Sequence, residues 1–155
     1  MNALAQKVGA ALKAKGLRLA TAESCTGGWV AMALTAIPGS SDWFERGYVT
    51  YSNAAKQEDL GVAAETLRRH GAVSEETARE MAAGAAKRAH AQVALAITGV
   101  AGPAGGTADK PVGLVCFAWA HGSNMVSQTR RFDGDRESVR RQSVLHALEG
   151  VLESL

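Results

Sequence analysis

The side chains with the most chemical reach fall in three short stretches. Thr21-Ala-Glu-Ser-Cys-Thr-Gly-Gly28 sets hydroxyls, a thiol and a carboxylate against a glycine pair, directly after the strand-like run Leu17-Arg-Leu-Ala-Thr. A strand, a sharp turn at Gly27-Gly28 and a helix from Trp29 onward expose Ser24 beside backbone N–H groups. That geometry suits a nucleophile with an oxyanion hole or an anion-binding nest, but the stretch taken alone favours a capped turn with no chemistry. The second stretch offers Tyr51 and Lys56. A lysine serves a serine as base when burial or a positive field lowers its pKa, and a tyrosine nearby can relay a proton or orient either partner. An ordinary exposed lysine is the competing reading. The third stretch runs from Thr98 to Pro111 and carries Gly99, Gly102, Gly105 and Gly106. It has neither the Gly-Lys-Ser/Thr ending of a Walker loop nor the spacing of a dinucleotide fingerprint, which leaves an N–H-rich loop able to wrap a phosphate or a carboxamide.

Several other patterns are weaker. Arg130, Arg131, Arg136, Arg140 and Arg141 gather near the start of the last helix, with Arg136 and Arg140 on one face. They could hold a phosphate by bidentate hydrogen bonds, or form a salt-bridged face with Asp133, Asp135 and Glu137. The four histidines stand apart from one another and from both cysteines, so zinc is not expected. Ser24 is not in a GxSxG context, and no serine–histidine triad is signalled. Cys25 and Cys116 form no short metal-ligand pair and read as reduced cytosolic thiols, with Cys25 the rival nucleophile to Ser24.

The chain that must position these groups has 155 residues, enough for one domain spanning 1–155 with a real core. Aromatics are 5% and glycines number 17, so helices are expected to pack closely through small side chains. Seventeen basic against 15 acidic side chains leave +2, too balanced for nucleic-acid binding by electrostatics alone. No apolar run approaches the roughly 20 residues a bilayer requires, and a cytoplasmic protein is expected. Periodicity predicts a helix over 3–15 ended by Gly16, strands at Leu17–Thr21 and Gly47–Ser52, and a loop anchored by Trp43 and Phe44. Asn53 is expected to cap a helix to Leu60 with Lys56 in its first turn, and another short helix covers Ala64–Arg69. Ser74 opens a helix with alanines on one face, Val93–Thr98 is a buried strand, and Val112–Ala120 with Met125–Phe132 form a hairpin. A last helix starts at Asp135 and buries Val144, Leu145, Leu148, Val151 and Leu152. The order implies a single α/β domain, a three-layer α/β/α sandwich with a mixed sheet.

Six blocks together, Ala22-Glu-Ser-Cys-Thr-Gly-Gly28, Gly47-Tyr-Val-Thr-Tyr-Ser-Asn-Ala-Ala-Lys56, Gly71-Ala-Val-Ser74, Ile97-Thr-Gly-Val-Ala-Gly-Pro-Ala-Gly-Gly-Thr107, Lys110-Pro-Val-Gly113 and Gly134-Asp-Arg136, resemble the CinA carboxy-terminal domain family. They occur in family order over nearly the whole chain. The resemblance implies hydrolysis of nicotinamide mononucleotide to nicotinate mononucleotide and ammonia, within pyridine nucleotide recycling. Carried over by matching positions, Ser24 is the nucleophile and Tyr51 and Lys56 its activating partners. Glu23, Cys25, Thr26, Gly27 and Gly28, then Thr98, Gly99, Gly102, Gly105 and Gly106 of the loop, and Arg140 are the implied substrate contacts. Neither metal nor cofactor is implied, and the pyrophosphatase domain that some members carry is not expected here. The expected partner is the mononucleotide, with no nucleic acid or membrane, in a homo-oligomer taken as a dimer. The alternatives are a non-catalytic nucleotide-binding module and a competence-related protein-interaction unit.

Overall fold

Apolar residues at helical spacing open the chain. Ala5, Val8 and Leu12 face inward along α1 (Asn2–Lys15), and Gly16 ends the helix in the left-handed region at φ 65°. The computed structural model describes all residues, 1–155. Five strands follow, β1 (Leu19–Glu23), β2 (Phe44–Val49), β3 (Val93–Gly99), β4 (Leu114–His121) and β5 (Asn124–Arg131), in the sheet order β2-β1-β3-β4-β5. The first three run parallel, whereas β4 and β5 pair antiparallel, so the sheet is mixed. Five further helices cover it: α2 (Trp29–Thr35), α3 (Asn53–Leu60), α4 (Ala64–His70), α5 (Glu75–Ala89) and α6 (Arg136–Ser154).

The two faces of the sheet differ in side-chain size, and the alternation is written into β3 and β4. Val93, Leu95 and Ile97 with Val115, Phe117 and Trp119 point to the layer of α1, α2 and α6. Ala94 and Ala96 with Cys116, Ala118 and Ala120 point the other way, to α5 and its Ala78, Ala82, Ala85 and Ala89. Small residues on both sides of that second interface let helix and sheet approach closely. The closeness extends to α3, because a Cβ at Gly84 would lie 1.9 Å from the Leu60 carbonyl oxygen. Gly84→Ala is therefore expected to cost about 1–3 kcal/mol in denaturant unfolding and to displace α3.

The three-layer α/β/α sandwich expected from the sequence is the fold observed, with shifts at element ends. β1 begins at Leu19 rather than Leu17, because the Arg18 N–H donates to the Gln92 side chain at 2.9 Å instead of to a strand. β2 runs Phe44–Val49 rather than Gly47–Ser52, so Phe44 opens the strand, while Trp43 in the turn just before it is buried in the core and anchors the loop as expected. Ser52, not Asn53, caps α3, accepting from the Ala55 N–H at 3.0 Å. Leu145 and Leu152 are half-buried beside the fully buried Val144, Leu148 and Val151 of α6.

From β1 the chain crosses to β2 by α2 on one face, then returns to β3 by way of α3, α4 and α5 on the other. A crevice beyond the carboxyl ends of parallel strands is where such sheets collect ligands. Here those ends are Ser24 after β1, Thr50 and Tyr51 after β2, and Thr98 and Gly99 at the close of β3.

Candidate active site

The turn after β1 is held by its own acid. Glu23 is fully buried, and its carboxylate accepts from the Thr26 hydroxyl at 2.7 Å and from the N–H groups of Gly28, Val30 and Ala31 at 3.2, 2.9 and 3.0 Å. These are orphan donors at the start of α2, which the carboxylate satisfies and whose dipole stabilises its charge. Gly27 and Gly28 sit at φ 58° and 102°, conformations that a side chain would strain. Ser24 is pinned by its N–H donating to the Ile97 carbonyl at 3.0 Å, and its own carbonyl accepts from the Gly27 N–H at 3.0 Å.

Lys56 reaches this turn from the fourth position of α3, aimed inward and only 1% exposed. Its Nζ lies 3.0 Å from Ser24 Oγ and 2.9 Å from the Thr50 carbonyl oxygen. No carboxylate pairs with it, and burial holds its pKa below the ordinary lysine range. A neutral amine keeps one N–H on the Thr50 carbonyl and turns its lone pair to the Ser24 hydroxyl, which then donates to it. An amine in that state can take the hydroxyl proton and so activate a serine for attack.

The neighbouring thiol is in the opposite state. Burial, reinforced by the Glu23 charge, pushes Cys25 up to about 12, so it stays protonated and weakly nucleophilic. Cys25→Ala is expected to keep most of the activity of the folded enzyme. Loss of turnover in a protein with an unchanged far-UV spectrum would transfer the nucleophile to the thiol.

Ser24 and Lys56 open into a cleft of about 300 Å³ whose wall includes Cys25, Thr98, Gly99, Gly102 and Gly105. Gly106 is not on that wall; it packs on Val112, whose amide nitrogen a Cβ would approach to 2.8 Å. The Thr98 hydroxyl donates to the Ala72 carbonyl at 2.8 Å and so ties the strand end to the turn before α5. Tyr51 is on the wall but 61% exposed, and its hydroxyl accepts from Arg136 at 3.0 Å rather than touching Ser24 or Lys56. Arg136 also donates to the Gly102 carbonyl at 2.9 Å, joining the glycine loop to the mouth of the cleft.

Besides Gly106, five of the expected substrate ligands are off the wall of this cleft: Glu23, Thr26, Gly27, Gly28 and Arg140. Glu23 spends both carboxylate oxygens inside the turn and does not line the cleft. Arg140 donates to the Cys25 and Thr26 carbonyls at 3.0 and 3.2 Å and, with Thr26, Gly27 and Gly28, lines a larger neighbouring concavity of about 640 Å³. Arg136 lies on both clefts. Its spacing of four from Arg140 signalled a shared face, but only the fold tells which guanidinium meets the loop.

Residues 1–155 match the CinA C-terminal domain family. The chain belongs to that family. It is 55% identical over 147 residues to the nicotinamide-nucleotide amidohydrolase PncC of Escherichia coli K12, covering 94% of this chain and 89% of that protein. To the protein of the same name from Pseudomonas putida it is 51% identical over 153 residues, covering 99% and 96%. Among solved structures, the competence/damage inducible protein CihA from Agrobacterium tumefaciens aligns with a TM-score of 0.95 at 47% identity, over 98% of this chain and 93% of that one. A CinA superfamily protein from Klebsiella pneumoniae aligns at 0.96 and 44% identity, over 99% and 96%.

In this CinA domain the backbone donors near Ser24 can be counted. The amides of Ser24, Gly27 and Gly28 are spent on Ile97, Ser24 and Glu23. Those of Cys25 and Thr26 donate to no protein oxygen, nor do those of Ala101, Gly102, Gly105 and Gly106 in the glycine loop. The turn that carries Ser24 and the glycine loop therefore both keep unspent N–H groups.

Proposed function

We propose that this chain is a nicotinamide-nucleotide amidohydrolase, converting nicotinamide mononucleotide and water to nicotinate mononucleotide and ammonia. The observation that carries the reading is the buried 3.0 Å contact between Lys56 Nζ and Ser24 Oγ, unaccompanied by any carboxylate. Its support is the near full-length similarity to proteins named for that activity. Neutral Lys56 takes the Ser24 proton as Oγ attacks the carboxamide carbon. Unspent N–H groups of Cys25 and Thr26, or of the glycine loop, receive the negative charge that builds on the carbonyl oxygen, each good donor contributing on the order of 3 kcal/mol. The ammonium of Lys56 returns the proton to the departing nitrogen, and ammonia leaves a nicotinoyl ester on Ser24. Water, deprotonated by the same amine, cleaves that ester to the carboxylate and restores the serine.

Tyr51, held by Arg136 at the mouth, orients substrate in this scheme rather than relaying the Ser24 proton directly. Pyridine nucleotide recycling in the cytoplasm is the setting the reaction implies, and a homo-oligomer completes the proposal. The test is incubation of the purified protein with nicotinamide mononucleotide, following ammonia and nicotinate mononucleotide together. Equal amounts of both are expected; a folded protein giving neither over hours returns the chain to the nucleotide-binding module.

A further inference from the structure

We infer that Glu23 and Arg140 are positioning residues that clamp the Ser24 turn from its two sides, and that neither is a ligand of the substrate. The inner side is the Glu23 carboxylate. It accepts four hydrogen bonds from residues 26 to 31 without a cationic side chain beside it, so the start of α2 is fastened to the last residue of β1. Ser24 and Cys25 lie between these two fixed points. A fully buried carboxylate persists only when such donors replace the water it has given up.

The outer side is Arg140. Its Nε and one Nη reach the Cys25 and Thr26 carbonyls, and the guanidinium rests 5.5 Å from the centre of the Trp29 ring. A planar fork suits two neighbouring carbonyls in a way that the point charge of a lysine does not. The clamp also reaches the base. The Glu23 carbonyl accepts from the Thr50 N–H at 2.9 Å, and the Thr50 carbonyl in turn accepts from Lys56 Nζ at 2.9 Å. Both members of the 3.0 Å pair are thus referenced to one residue.

The inference rests on the proposed reaction for its turnover measurement only. Full-length Glu23→Gln, Arg140→Ala and Arg140→Lys proteins are compared with the wild type by thermal melting, by kcat and KM for nicotinamide mononucleotide, and by the rate at which phenylmethanesulfonyl fluoride modifies Ser24, read by mass spectrometry. That reagent carries no phosphate or ribose, so it reports the aim of Ser24 and not the binding of a nucleotide. Glu23→Gln sets an NH₂ against N–H donors, and Arg140→Ala opens the outer side. In both, kcat and the labelling rate are expected to fall together, by roughly tenfold to a hundredfold, with KM within about twofold of wild type. Arg140→Lys restores neither, because the fork and not the charge is required.

A rise in KM with kcat and labelling unchanged, or rescue by Arg140→Lys, makes Arg140 a substrate ligand and overturns the inference. Unchanged values throughout overturn it as well. Should Glu23→Gln fail to fold, the two Arg140 variants decide. A wild type that is labelled at Ser24 yet releases no ammonia refutes the proposed substrate while the labelling comparison still tests the clamp. A wild type that does neither refutes both.

Discussion

Ser24→Ala is expected to lower kcat for ammonia release by roughly 10⁴-fold or more while leaving the protein folded and able to bind the mononucleotide. The size of the loss follows from the chemistry: without Oγ no acyl-enzyme forms, and the remaining N–H donors can only polarise the amide toward bulk water. The fold should hardly notice. Ser24 Oγ is hydrogen-bonded to Lys56 Nζ, and the amine keeps its bond to the Thr50 carbonyl when the hydroxyl is removed, so a stability change of about 1 kcal/mol is expected. Ligand binding survives in the same variant and is read as a rise in melting temperature with added nicotinamide mononucleotide. Turnover near the wild-type rate in a folded Ser24→Ala protein would sink the covalent scheme, and with Cys25 held near 12 by burial there is no ready substitute.

The fold was legible because its signals are local. Val93 to Thr98 has strand length and no polar interruption, Ser74 and Asp135 cap helices as their types predict, and Gly16 ends α1 as glycine does. The shift at the start of β1 comes from a hydrogen bond between distant segments, Arg18 with Gln92, which no local pattern contains, whereas the one-residue shift of the α3 cap to Ser52 is a choice between two adjacent capping types. The candidate site was legible in its residue types and much less so in its assignments. A serine on a glycine turn and a lysine at a helix start suggest a pair, but the distance between them is set by β1, β2 and the close approach of α5 beneath α3.

Glu23 shows why the rest was hidden. An acid inside a reactive-looking motif reads as chemistry, whereas its complete burial and four donors make it part of the scaffold. The backbone carbonyl of Thr50, which holds Lys56, has no sequence signature at all. Arg136 and Arg140 are alike in the sequence. Only the crossing of α6 over the two loops gives one to Gly102 and Tyr51 and the other to Cys25 and Thr26.

Lys56→Met separates the catalytic and the energetic consequences of burying that amine. Methionine keeps an unbranched side chain close in length, one heavy atom shorter, and removes both charge and basicity, so kcat is expected to fall by roughly 10²–10⁴-fold, the usual contribution of a general base. In the wild type, kcat should rise with pH as Lys56 loses its proton, with a midpoint below lysine's ordinary 10.5. The same depressed pKa has a signature in stability. Between the folded-state value and 10.5 the unfolded chain binds more protons than the native one, so native stability rises with pH across that window. Below it, the full cost of a buried ammonium is present; above 10.5, none of it is. The stability of Lys56→Met relative to wild type should therefore be greatest at low pH and decline as pH climbs. Both cysteines are raised by burial and stay protonated longer in the native state than in the unfolded chain, which lowers stability at alkaline pH. The Cys116 part is common to both proteins and drops out of the difference, whereas Cys25 and Lys56 act on each other's charge, so the comparison is read below the range in which Cys25 titrates. Denaturant unfolding of the pair at several pH values there measures the difference. A difference that stays flat over those values would mean an amine whose pKa is not lowered into them, and the neutral base would have to be found elsewhere.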